Sequence, residues 1–131
     1  RVGFVIAFRR AACGRVHCGS DDELRSNSPT KIPQVRYHIS DFVVMPNHVH
    51  VIVCFLPGVR LLAQSRSWKH FTAVKINSAL GTTGEFWQSE SFDHLVRDPD
   101  HFMRFRKYVA ENREKANLKS GEGIYYRCPD P

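Results

Sequence analysis

Apolar positions recur along the chain with a period of two in some stretches and close to 3.6 in others, and the changes between them mark the elements. Residues 3–9, rich in Phe, Val and Ile, predict a first strand. Residues 11–33 scatter Gly, Ser, Asp and Asn without a period and read as loop, with room for a short helix over 22–25. Two apolar runs follow, 37–45 and 48–55, joined at Pro46-Asn47, and a turn-forming pair between two such runs predicts a β-hairpin. Pro57-Gly58 ends the second run. Over 67–80, Trp68, Phe71, Ile76 and Leu80 fall at helical spacing, which assigns Trp68 and Phe71 to packing, and Gly81 follows as a stop signal. Short extended runs at 85–87 and 92–96 come next. Asp98-Pro99 supplies an N-cap and a first-turn proline. The helix it starts carries Phe102, Phe105, Val109 and Ala116 on one stripe and runs to about residue 117. Tyr125-Tyr126-Arg127 either adds a last strand or lies along the surface.

Strand, irregular segment, two strands, helix, short strands and helix together predict an α+β domain, an antiparallel sheet with its helices on one face. The 131 residues suit a single domain spanning 1–131. With 42% hydrophobic and 24% charged residues the composition is that of a globular chain. No apolar run reaches the length of about 18 residues that a membrane helix needs. The N-terminal apolar stretch is too short, and too soon broken by Arg9 and Arg10, for a signal peptide. Beginning at Arg1 rather than Met, the sequence reads as a piece of a longer chain or a trimmed one.

Nineteen Lys and Arg against 13 Asp and Glu give a net charge of +6. That excess favours an anionic partner, nucleic acid first among them, although many basic domains bind none. Cys13, Cys18, Cys54 and Cys128 show no CxxC spacing, which suits a reduced cytoplasmic protein better than a disulfide scaffold. Cys13, His17 and Cys18 leave open a structural zinc with a distant fourth ligand.

His48-Val49-His50 is the first place where the residues suggest chemistry. Side chains alternate on a strand, so both imidazoles point to one face and can converge on one metal ion. The apolar residues 51–55 make the strand an interior one and stiffen that geometry. Taken alone, the pair also suits two partly exposed histidines at a strand's start. Tyr108 falls on the second helix beside Phe105, where an aromatic ring is ordinarily core. Asn112 lies one turn further along the same face as Tyr108, or simply faces solvent.

The string Phe42-Val43-Val44-Met45-Pro46-Asn47-His48-Val49-His50-Val51-Ile52-Val53 closely resembles the signature of the single-tyrosine HUH transposases, two His flanking a hydrophobic residue. The insertion-sequence-200 type and its REP-associated relatives are the most similar. The likeness continues through Gly84-Glu85-Phe86-Trp87-Gln88 and Ser91-Phe92-Asp93-His94-Leu95-Val96-Arg97-Asp98. It ends with Lys107-Tyr108-Val109-Ala110-Glu111-Asn112 and Lys115-Ala116-Asn117-Leu118. Most of residues 42–118 is covered, in the family's order and approximate spacing. Ala7, where the family has Thr, Arg113, where it commonly has Pro, and residues 11–33 depart from it.

The resemblance implies a ferredoxin-like sandwich and a DNA transposase that cleaves and rejoins single-stranded, hairpin-containing DNA. Tyr108 would be the nucleophile and become joined to a 5′ phosphate. A divalent ion, Mg²⁺ or Mn²⁺, would be held by His48, His50 and the Asn112 carbonyl oxygen, since mixed N and O ligands suit such ions. A phenol with a pKa near 10 needs that help to attack phosphorus at neutral pH. The family includes monomers and helix-sharing homodimers. Arg97, Arg104, Arg106 and Lys107 are candidates for phosphate contacts or for a solvated helix face. Trp87 and Phe86 suit either base stacking or the core. Asp93 and His94 match the family without a role. The alternative is an inactive relic that keeps the fold and basic surface and binds nucleic acid without cutting it.

Overall fold

The computed structural model describes residues 1–10 and 36–129. The short helix expected over 22–25 and the candidate zinc residues Cys13, His17 and Cys18 lie outside the described residues. Five strands and two helices follow in the order β1 (Val2–Arg10), β2 (Tyr37–Val44), β3 (His48–Phe55), α1 (Leu61–Leu80), β4 (Trp87–Leu95), α2 (Pro99–Lys115) and β5 (Ile124–Arg127). The strands form one sheet in the order β4-β1-β3-β2-β5. The arrangement is α+β and compatible with a ferredoxin-like sandwich.

Two details differ from the sequence expectation. The sheet is mixed rather than antiparallel: β2 pairs antiparallel with β3 and β5, whereas β1 runs parallel to both β3 and β4. α1 carries the chain back along the sheet, so that β4 starts from the same end as β3 and, like it, lies parallel to β1. The helices also pack on different faces. Leu61 and Trp68 of α1 pack against Phe4, Ile6, Val51, Val53 and Phe55. Val109, Phe102 and Phe105 of α2 pack against Ala7, Val43, Met45, Ile52 and Val96. Consecutive residues of β3 alternate between the two groups, as the pleat requires. Both faces of the central strands are therefore covered, and Ile6, Ile52, Val43 and Val53 are fully buried.

A bulge in β2 sets which residues reach which face. Ile39 pairs with Val53 while Asp41 pairs with Ile52, so Ser40 is an extra residue on that strand. Ile39 packs on the α1 side and Val43 on the α2 side, although four residues apart they would share a face in an unbroken strand. Asp41, two residues before Val43, is thereby directed at α2.

Local signals account for the element ends. At α2, the Asp98 side chain accepts a hydrogen bond from the His101 N–H at 2.7 Å, with Pro99 behind it in the first turn. At α1, Gly81 takes φ +65°, a left-handed cap that costs a glycine little. Phe71 departs from its expected packing role, being 62% exposed on the outer side of α1. Cys128 is disulfide-bonded, against the reading of reduced thiols, and Cys54 is the free cysteine among the described residues. No helix among the described residues is long and apolar enough to cross a membrane.

Candidate functional site

The period-two pattern of β3 puts His48 and His50 on the sheet face that α2 covers, with Val49 on the other. Their ring centroids lie 4.7 Å apart. Gly3 of β1 sits opposite His48 in register, and a Cβ there would be 3.3 Å from Gln88 Oε1 and 3.4 Å from the His48 Cβ. His48 Nδ1 is 2.6 Å from the Asn47 side-chain oxygen. With the ring donating there, its Nε2 keeps a free lone pair.

His50 is 6% exposed and its Nε2 is buried with no hydrogen-bond partner. Burial, then the neighbouring His48 and His94 rings, lowers its pKa to about 4. Burial also lowers His48. Both imidazoles are therefore neutral at physiological pH, the state in which a ring nitrogen can bind a cation.

On α2, Tyr108 lies over His50. Its ring centroid is 5.4 Å from that of His50, edge to face, and the side chain is 44% exposed. A tyrosine serving only as core would be buried, as Val109 beside it is. Lys115 Nζ approaches the Tyr108 ring from the solvent side, 5.5 Å from its centroid. One turn beyond Tyr108, Asn112 is 8% exposed, with its Nδ2 buried and unpartnered. A buried amide left unsatisfied costs about 1–3 kcal/mol, so two orphaned polar groups on facing elements suggest that something else completes them.

The divalent ion that the sequence resemblance implies can be tested against these groups. His48 and His50 offer neutral nitrogens and Asn112 a side-chain carbonyl oxygen, while the orphaned Asn112 Nδ2 is a donor that would meet an acceptor rather than the cation. Among the described residues no three His, Cys, Asp or Glu side chains come together. A closed four-ligand zinc site is thus not built from those types there, while two imidazoles and one amide leave coordination positions for a substrate's oxygens. By donor type these residues suit a Mg²⁺ or Mn²⁺ ion.

The surrounding residues divide sharply. A pocket of about 460 Å³ opens beside His50 and Tyr108, walled by Phe92 and His94 of β4 and by His101, Arg104 and Phe105 of α2. Arg104 therefore belongs to the site. Arg97 does not; it lines a separate pocket with Arg9, Asp98 and Phe102. Lys107 is exposed, 3.8 Å from Glu111 on the same helix. Arg106, one of the phosphate candidates, is corrected: it is 7% exposed and forms a two-pronged ion pair with Asp41, which is fully buried. Trp87 is part of the core, its ring 5.3 Å from Phe4 and its indole N–H donating to Thr72 at 2.8 Å, and Phe86 packs against it. Asp93 and His94 point to opposite faces of β4. Asp93 lies near Lys69 of α1, and burial raises its carboxyl pKa while Lys69 opposes that.

His94, His101 and Phe92 joined the site without a sequence assignment. The alternation of Phe92 and His94 along β4, and the spacing of His101 with Arg104, Phe105 and Tyr108 on α2, are the signals that could have found them.

The chain is 27% identical over 107 residues to an uncharacterized protein of Haemophilus influenzae, a match taking in 66% of this chain and 58% of that one. The chain thus spans little more than half the length of that relative. No family profile and no solved structure matches it.

Proposed function

We propose that this protein is a metal-assisted DNA transposase or nickase that cleaves and rejoins single-stranded DNA through Tyr108. The observation that carries the reading is the placement of a half-exposed tyrosine 5.4 Å from a buried histidine whose Nε2 has no partner. A core tyrosine needs no such neighbour, and a structural histidine would have its ring nitrogens satisfied. In the proposed reaction Tyr108 Oη attacks phosphorus and loses its proton. The bond to the 3′ oxygen breaks, and that oxygen leaves as a 3′-hydroxyl after taking up a proton. The product is a 5′-phosphotyrosine, close in energy to the bond it replaces, so the reverse attack rejoins a strand without a nucleotide cofactor. Bound at His48, His50 and Asn112, Mg²⁺ or Mn²⁺ would supply charge stabilisation for the phosphoryl oxygens.

The test is incubation with Mn²⁺ and a set of hairpin-bearing single-stranded oligonucleotides, followed by denaturing electrophoresis. A covalent protein–DNA species is expected with the native chain. It should be lost in Tyr108→Phe and in His50→Ala, with Tyr108→Phe keeping the native melting temperature because the side chain is 44% exposed and its hydroxyl makes no hydrogen bond among the described residues. An adduct that survives Tyr108→Phe sinks the assignment. Binding without any adduct favours the non-cutting nucleic-acid-binding relic, to which the net charge of +6 is equally suited.

A further inference from the structure

Beyond the histidine pair and Tyr108, the pocket has a composition that phosphoryl chemistry alone does not call for. Phe92 of β4 is 61% exposed at its rim. A large apolar ring left in water on an edge strand is unfavourable for solubility, and it marks a contact surface when it adjoins a cleft. Phe105 forms part of the opposite wall, with His94 and His101 against its ring at centroid distances of 5.5 and 4.8 Å. His101, Arg104, Phe105 and Tyr108 are spaced i, i+3, i+4 and i+7, so α2 presents a single stripe to the pocket that ends at the tyrosine. Arg104 is exposed on that stripe, and neither Asp nor Glu is among the described residues that line the cleft. Among the described residues, aromatic surface and an exposed guanidinium without a carboxylate select a planar, anionic ligand. At about 460 Å³ the cleft is within the size range of small-molecule sites, roughly 300–1,000 Å³.

We infer that this pocket is a subsite for one unpaired nucleotide next to the phosphate that Tyr108 attacks, its base stacking on Phe92 and Phe105 and its phosphate meeting Arg104. The inference rests on the nucleic-acid reading of the site, but it does not require that the chain cut DNA. It gives that reading a physical reason for preferring single strands, because a paired base cannot leave its stack to enter the cleft.

Three probes separate the terms: an oligothymidylate of about twelve nucleotides, an abasic strand with the same number of phosphates, and thymidine 5′-monophosphate as competitor, read by fluorescence anisotropy at fixed salt. Stacking on an aromatic side chain is worth about 1–3 kcal/mol per base, so Phe92→Ala should weaken oligothymidylate binding roughly tenfold. It should leave abasic-strand binding within about twofold of native, and Phe92→Tyr should restore the lost affinity. Arg104→Ala should weaken both strands alike and make the salt dependence shallower by about 0.7 in the log–log slope. Competition by the mononucleotide at concentrations matching the strand would show that free nucleotides, rather than a strand, are the ligand and would overturn the subsite. Equal weakening of both strands by Phe92→Ala, unchanged binding of both, or no binding of either by the native protein would also overturn it. Adduct formation is scored separately. A base-selective Phe92 effect without an adduct sinks the nicking reading and keeps the subsite, while an adduct without that effect sinks the subsite alone.

Discussion

Removing either partner of the Asp41–Arg106 pair should destabilise the domain far more than removing both. Asp41 is fully buried and Arg106 is 7% exposed. The guanidinium donates from Nε to one carboxylate oxygen at 2.7 Å and from a terminal nitrogen to the other at 3.1 Å, and the same terminal nitrogen donates to the Cys128 carbonyl at 3.2 Å. Its carbon also sits 5.3 Å from the centroid of Phe102. Asp41→Ala removes the buried carboxylate that both prongs of the guanidinium meet, and breaking a buried pair in this way typically costs about 3–5 kcal/mol. For a domain of ordinary stability, about 5–15 kcal/mol, that is roughly a fifth of the total or more. A chain of this length should then melt roughly 10 °C lower or worse. Arg106→Met should cost a similar amount, for the mirror-image reason. The double variant Asp41→Leu/Arg106→Met removes both charges along with their desolvation and should lie closer to the native stability than either single, which requires a coupling larger than the cost of one single variant, more than about 3–5 kcal/mol. Urea unfolding followed by circular dichroism measures all four states of the cycle. Single variants that lose less than about 1 kcal/mol, or a double variant that loses the sum of the singles, would refute the reasoning.

Two further outcomes follow from the same physical terms. The His50 pKa of about 4 lies below its unfolded value of 6.5, so the unfolded chain binds the extra proton first, and metal-free stability should fall as pH drops from 6.5 towards 4 by up to about 3 kcal/mol. That part of the pH dependence should vanish in His50→Gln; identical curves for the two proteins between pH 7 and 4.5 would contradict it. Thr72 accepts the indole N–H of Trp87 at 2.8 Å and donates to the Trp68 carbonyl at 2.7 Å, so Thr72→Val should cost about 1–2 kcal/mol by leaving a part-buried donor unpaired, whereas a melt unchanged to within error would show that water replaces the hydroxyl.

Local features of the fold were legible wherever a local rule decides them. The hairpin around Pro46-Asn47, the Asp98 cap with Pro99, and the Gly81 stop all stand where the residues place them. The start of α1 was missed by six residues, since the helix begins at Leu61 behind an Arg60 that makes no side-chain cap and so leaves no start signal. β4 reads as two fragments because it is an edge strand: polar Gln88, Ser89 and Glu90 are exposed and give no apolar signal, yet their backbone extends the strand beside β1. At the site, the histidine pair follows from a period of two and the Tyr108–Asn112 spacing from a helical turn. That the two sets face each other is a tertiary fact, and only the family resemblance pointed to it. Arg106 was misjudged for a related reason: its partner lies 65 residues away, and no local pattern distinguishes a buried arginine from a surface one.

That ion pair bears on the site itself. Arg106 precedes Tyr108 by two residues on α2, about 200° around the helix, so the rotation that docks one fixes the direction of the other. Val109 in the core restrains the same helix, but apolar packing tolerates small rotations that a two-pronged ion pair does not. Asp41 can serve as the anchor because the bulge at Ser40 shifts the phase of β2; were Ser40 part of a regular strand, the carboxylate would share the face of Ile39 and meet the α1 side. On the neighbouring strand β3, unbroken alternation brings His48, His50 and Ile52 to the α2 face. A bulge on one strand and its absence on the next thus aim a helix anchor and a histidine pair at the same helix. On this account the bulge belongs to the site as much as the histidines do, because it determines where along its rotation α2 holds Tyr108 against His50.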